Sequence, residues 1–194
     1  MMFQAGLQER SLLIEPGLVQ RSNTSLHLTE KGEGQADLEV RLISECILIR
    51  NHENNKMQYF INKKCADYVM FESIDDIWRV HIFEMKKTVN EEKWENEIKH
   101  QFHGAMQNAL AFSGVLGVEI ADIVLHTVYR NDKINDMANP VRQHLCTHRK
   151  SISGTDWNDS EISLEFLDKK RFKHDKIKLD IETGEGEYCL AYCK

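Results

Sequence analysis

Three side chains in one short stretch are of types that could do hydrolytic chemistry together. They are Asp67, Glu84 and Lys86, within the segment KKCADYVMFESIDDIWRVHIFEMK at residues 63–86. Glu84 and Lys86 stand two residues apart at the close of an otherwise apolar run. In a strand, both side chains would leave by the same face. Carboxylates are hard oxygen ligands, and magnesium takes only one or two of them while keeping several waters. A cation held there stabilises charge developing on a phosphate and lowers the pKa of an attacking water. An ammonium beside it positions that water or meets the charge of the pentacovalent phosphate. These residue types suit hydrolysis of a phosphodiester bond.

Such chemistry needs Asp67 and Glu84 on adjacent strands. Residues 68–71 and 78–83 read as two strands separated by an acidic turn at 72–76. Upstream, residues 37–50 are β-branched and apolar, with Leu38, Val40 and Leu42 at period two, which predicts one or two strands. Residues 51–56 (NHENNK) form a turn cluster, so 57–61 reads as a returning partner strand. From Glu91 to about Gly114 the period changes, with Trp94, Ile98, Phe102, Ala105, Ala109 and Phe112 at helical spacing. Asn90 serves as N-cap, Glu91 and Glu92 fall in the first turn, and Gly114 or Gly117 ends the helix. Residues 120–128 then read as a short buried strand. Strands followed by a long helix and another strand predict a mixed sheet with a crossover helix.

The helix carries a fourth candidate. At about 100° per residue from Trp94, Ile98 falls at about 40°, Ala105 at about 20° and Gln101 at about −20°. Gln101 therefore lies inside the apolar stripe, and an inward amide needs a polar partner. A satisfied buried amide explains it as well as a catalytic role does.

Taken together, residues 37–130 resemble the PD-(D/E)xK nuclease superfamily, which has the restriction-endonuclease-like fold. The resemblance rests on Asp67 opening one strand, the hairpin turn, Phe83-Glu84-Met85-Lys86 closing the next strand, and the helix after it. It implies an α/β fold with an α-β-β-β-α-β core, a central mixed β-sheet flanked by helices. It also implies Mg²⁺ (or Mn²⁺) bound by Asp67 and Glu84, with Lys86 assisting the water. Several such families have a glutamine at the position of Gln101, pointing toward the active site. One departure is that Cys65-Ala66 precede Asp67 where the motif has a proline. The implied substrate is nucleic acid, taken as DNA, cut to leave a 5′-phosphate. A homodimer is implied because cutting two strands needs two sites. The competing expectation is a binding or assembly module that keeps the fold without catalysis. The acidic net charge of −6 favours that alternative.

Other residues leave alternatives open. Asp75 or Asp76 could replace Asp67 as a ligand, although both sit at the wrong end of the hairpin. Glu39 and Glu45 are candidates for a further glutamate, but lie in a strand-like segment. His144, Cys146 and His148 with Cys189 and Cys193 could form a zinc site, at a spacing that matches no ordinary zinc motif. Residues 169–178 hold six Lys or Arg residues. They could contact phosphates or form a solvated face interrupted by Asp175.

The chain has 194 residues, 41% hydrophobic and 29% charged, which suits one well-buried core. The expectation is a single domain over 1–194, with its core at about 37–130 and an extension at 131–194. That extension is expected to close in a β-hairpin, with strand 176–181 turning at Gly184 and Gly186 onto 188–192. No run is long and apolar enough to span a membrane. Residues 1–17 do not resemble a secretory signal. Five cysteines is an odd number for a disulfide framework, so a reducing cytoplasm is expected.

Overall fold

In the computed structural model the described residues are 6–32, 35–51, 64–75, 77–135 and 155–190. The N-terminal part runs through a short helix α1 (Leu7–Ser11), then strands β1 (Val19–Ser22) and β2 (Ser25–Glu30). The apolar segment at 37–50 divides into β3 (Ala36–Arg41) and β4 (Cys46–Arg50). The two strands join different sheets. The hairpin follows as β5 (Tyr68–Ile74) and β6 (Ile77–Val89), then a single helical turn α2 (Glu91–Lys93), a π-helical turn (Trp94–Ile98) and helix α3 (Lys99–Leu116). Strand β7 (Ile120–Asp132) returns beside β6, and β8 (Glu161–Phe166), β9 (Lys169–Lys178) and β10 (Glu185–Cys189) complete the chain.

The α/β architecture consists of a seven-stranded mixed sheet in the order β1-β4-β5-β6-β7-β9-β8 and a three-stranded sheet in the order β10-β3-β2. β6 and β7 are parallel, joined by the helices as a crossover. Alternation along the central strands makes two cores. Val69, Phe71, Val80, Ile82, Ile123 and Leu125 face the helices, where Trp94, Ile98, Phe102, Ala105 and Ala109 are fully buried. Met70, Phe83, Met85 and Val128 face the other way, onto Leu26, Leu28, Leu38 and Val40 of the small sheet. The central strands are thus covered on both faces. Each fully buried large apolar side chain contributes roughly 1.5–3 kcal/mol.

Several expectations change at the boundaries. Strand β5 runs on through Glu72 to Ile74, so Glu72 belongs to the strand rather than to the acidic turn, which keeps Asp75. Glu72 is buried there because His81 Nε2 lies 3.0 Å from its carboxylate, and His81 Nδ1 lies 2.9 Å from His126 Nε2 on β7. A buried carboxylate, the imidazole that contacts it and a second imidazole beyond form a row across three strands. The helix ends at Gly117, whose φ of 69° suits glycine, and Gly114 is an ordinary helical residue. The basic stretch 169–178 is itself strand β9, parallel to β7, rather than a prelude to a strand at 176–181.

The last strand corrects the C-terminal hairpin. The chain turns at 180–184, but β10 pairs in parallel with β3, in register from Glu185 opposite Asp37 to Cys189 opposite Arg41. The antiparallel hairpin in this region is β8–β9 instead. The partner strand expected at 57–61 and the segment 136–154 lie outside the described residues. No helix among the described residues is long and apolar enough to cross a membrane.

Candidate active site

Glu84 and Lys86 reach the helix-covered face of the sheet because they share the parity of Val80 and Ile82 on β6. The same alternation turns exposed Lys87 away. Tyr68 pairs with Phe83 in the antiparallel β5–β6 ladder. One further step of that register sets Asp67 opposite Glu84. Asp75, at the hairpin turn, lies seven strand residues from Glu84 and so about 20 Å away along the strand. The register therefore excludes it as a partner for Glu84. Asp76 lies outside the described residues. Glu39 is on β3 of the small sheet, and Glu45 pairs with Arg21, so neither joins this site.

Asp67 is held by two backbone amides, those of Met85 and Asn51. Its carboxylate accepts from the Met85 amide at 2.8 Å, and its own carbonyl accepts from the Asn51 amide at 2.8 Å. The preceding residue is clamped as well. The Ala66 amide donates to the Gln101 carbonyl at 3.1 Å, and the Ala66 carbonyl accepts from Asn51 Nδ2 at 2.8 Å. Asn108 on α3 donates to Cys65 Sγ at 3.0 Å. Burial pushes the Asp67 carboxyl up to about 6, against the pull of the Met85 amide and the nearby Lys86 and Arg50 charges.

Glu84 is 1% exposed. Burial first, and the Asp67 charge second, drive its carboxyl well above the usual range. Its Oε1 lies 2.6 Å from Lys86 Nζ, while its buried Oε2 has no hydrogen-bond partner among the described residues. Unpaired carboxylate oxygens away from water are costly. A cation or water at Oε2 would satisfy this one. Lys86 Nζ also donates to Glu97 Oε1 at 2.7 Å. Burial opposes the lysine's charge, but Glu84 and Glu97 outweigh it and raise the ammonium above its ordinary value. Glu97 itself is held below its ordinary value, because the Lys86 contact outweighs its partial burial.

Glu97 is the site residue that sequence reasoning missed. It sits in the π-helical turn, a local widening often found at functional positions. The available signal was its place four residues before Gln101, one helical turn away on the same side. Gln101 comes from α3 and is half-buried, and its Oε1 is a buried acceptor with no partner among the described residues. Glu97 and Gln101 line an open cleft of about 550 Å³ together with Lys64, Asn90, Lys93 and Asn96.

Three of the four sequence-derived residues lie together, and the fourth, Gln101, is joined to them by its backbone carbonyl while its side chain lines the neighbouring cleft. Asp67, Glu84 and Lys86 are in contact range through Met85 and the ion pair, and Gln101 is tied to the strand start through Ala66. Among the described residues, no set of three or more His, Cys, Asp or Glu side chains is arranged to hold a metal ion. Any cation here would have the pair Asp67 and Glu84 as its protein donors, a set that suits only a hard ion keeping most of its waters. Of the zinc alternative, Cys189 is exposed at the end of β10. Its proposed companions His144, Cys146, His148 and Cys193 lie outside the described residues. In the basic strand, Lys169 pairs with Asp122 at 2.9 Å, Arg171 with Glu161 at 3.6 Å, and Lys176 with Asn158 at 2.9 Å.

Compared with protein-family models, curated proteins and solved structures, the chain matches none.

Proposed function

We propose that this chain is a metal-dependent nuclease with a restriction-endonuclease-like core, hydrolysing phosphodiester bonds in DNA. The observation that carries the reading is the Glu84 carboxylate. It is buried opposite Asp67, with Lys86 on one oxygen and, among the described residues, no partner on the other. A structural ion pair does not require a second buried carboxylate beside it, and two such groups repel one another. That cost is explained if the pair serves a cation. The element order β4-β5-β6-helix-β7, with the carboxylates on adjacent strands, supports the same reading.

Asp67 and Glu84 would hold magnesium or manganese, which when bound supplies charge stabilisation at the phosphate and a more acidic water. The chain's own groups do the rest. The Met85 amide fixes one oxygen of Asp67, so that carboxylate meets a cation without reorganising. Lys86 presents an ammonium fixed by two carboxylates, able to donate to a phosphate oxygen or to the attacking water. Gln101 offers an amide oxygen with no partner among the described residues, fit to orient a water at the edge of the cleft. A homodimer is part of the proposal, because cutting both strands of a duplex needs two sites.

Plasmid DNA incubated with protein and Mg²⁺ or Mn²⁺ tests this reading. Nicking or linearisation is expected with wild type and not with Lys86→Ala or Glu84→Ala. Equal nicking by all three proteins would reject the nuclease, and cation-dependent binding without cutting would favour the assembly module.

A further inference from the structure

The cavities, charged clusters and buried titratable groups outside the two carboxylates leave one feature unexplained by the two-strand motif. The motif needs Lys86 near Glu84, yet the helix sends a second carboxylate to the same ammonium. Lys86 Nζ is 2.6 Å from Glu84 Oε1 and 2.7 Å from Glu97 Oε1. Glu84 is inside the protein and Glu97 is 39% exposed at the cleft wall. The ammonium is thus suspended between a buried carboxylate and one that faces the cleft.

We propose that Glu97 is a positioning residue for Lys86, holding its ammonium at the inner edge of the cleft so that Glu84 can serve a cation without the lysine leaving. The inference rests on the nuclease reading for its purpose but on the two contacts for its geometry. A lysine has a long, flexible stem with rotamer freedom to regain when an anchor is lost. If Glu84 were its sole anchor, any cation drawing on Glu84 would weaken the lysine's hold. With Glu97 present, one charge-assisted hydrogen bond persists on the cleft side, where the phosphate would lie. Glu97 comes from the π-helical turn at Trp94–Ile98, where Trp94 and Ile98 are buried while Glu97 reaches Lys86 on the strand. Glu97 also adds negative charge beside the pair, which favours a divalent cation.

Two experiments test it, one without metal or substrate. The crystal structure of Glu84→Ala is expected to show Lys86 Nζ still within about 3 Å of Glu97. A lysine swung away from Glu97 would overturn the inference whatever the protein's activity. The second uses the full chain on plasmid DNA with Mn²⁺. Glu97→Ala is expected to lower kcat by roughly 10- to 100-fold with KM changed less than about threefold, as for loss of a preorganised charge. Glu97→Gln, whose amide oxygen still accepts from the ammonium, should recover most of that loss. Unchanged kcat in Glu97→Ala, or a loss confined to KM, would overturn the positioning role. If wild type itself does not cut DNA, the nuclease reading falls, and the Glu84→Ala structure alone decides the Glu97–Lys86 contact.

Discussion

The backbone amide of Met85 donates to Asp67 Oδ2 at 2.8 Å. Met85 is the residue between Glu84 and Lys86, so the peptide that carries the glutamate and lysine also grips the aspartate from the next strand. Its own side chain points into the opposite core, against the small sheet. The three charged groups are therefore fixed relative to one another by strand register and one amide, before any ligand is present. Such preorganisation has a cost when the site is empty, and that cost is measurable.

Replacing Asp67 by Asn should stabilise the cation-free protein, and only at higher pH. The folded Asp67 carboxyl is pushed up to about 6 by burial, against about 3.9 for an unfolded aspartate. A raised folded value favours the fold at low pH, fully below about pH 4, and that advantage is lost as pH rises through 6. At pH 8 the ionised carboxylate is then a burden of roughly 1–3 kcal/mol. Thermal melts in chelator should show Asp67→Asn above wild type at pH 8, with the gap closing toward pH 4–5. An equal gap at both pH values would contradict the buried, ionisation-resisting aspartate.

His174 should act in the opposite direction. It packs among Trp94, Phe102 and Trp157 and shares a 2.9 Å hydrogen bond with Thr127. Burial pulls it down to about 3, while an unfolded histidine titrates near 6.5. A lowered folded value means stability is complete above about 6.5 and is lost as pH falls toward 3. His174→Phe fits the aromatic surroundings but leaves the Thr127 hydroxyl unpaired, costing about 1 kcal/mol at pH 8. Below pH 6.5 its stability should fall less steeply than wild type, by up to about 1.4 kcal/mol per pH unit. Denaturant melts across pH 5–8 check this, and parallel slopes would refute it.

The Asn51 clamp gives a prediction about geometry rather than charge. Its side chain donates to the Ala66 carbonyl and its amide to the Asp67 carbonyl. Asn51→Ala removes the first contact and should cost about 1–2 kcal/mol of stability. It should also lower cleavage several-fold through looser placement of Asp67. Gln101→Ala, by contrast, keeps the backbone carbonyl that accepts from Ala66 and should lower cleavage with little change in melting temperature. Equal melting losses in both variants would show Gln101 to be a packing residue.

How much of this was legible in the sequence follows from the physics of each signal. The β5–β6 hairpin and the crossover helix were readable because apolar alternation and helical spacing are local. Asp67, Glu84 and Lys86 stood out because a charge there interrupts an apolar pattern, although only Asp67 lies at a strand end, since β6 runs on past Glu84 and Lys86 to Val89. Glu97 was passed over although it stands one helical turn before Gln101, because a glutamate on a helix reads first as a solvated charge. The Glu72–His81–His126 row was hidden for a related reason. On a strand, buried polar residues that satisfy one another occupy the same positions as solvated ones. Pairing of β10 with β3 joins strands far apart in the chain, and no local pattern specifies a nonlocal partner. Gly184 and Gly186 marked a turn and left open which strand would receive the chain.

The central claim is that Asp67 and Glu84 hold a divalent cation. Anomalous diffraction from crystals soaked in Mn²⁺ tests it most directly. The expected result is one manganese peak within about 2.0–2.3 Å of an oxygen of each carboxylate, including Glu84 Oε2, and none there in Asp67→Asn crystals soaked identically. Clean density at the pair with no anomalous signal, at a concentration where manganese is seen elsewhere in the crystal, would contradict the claim.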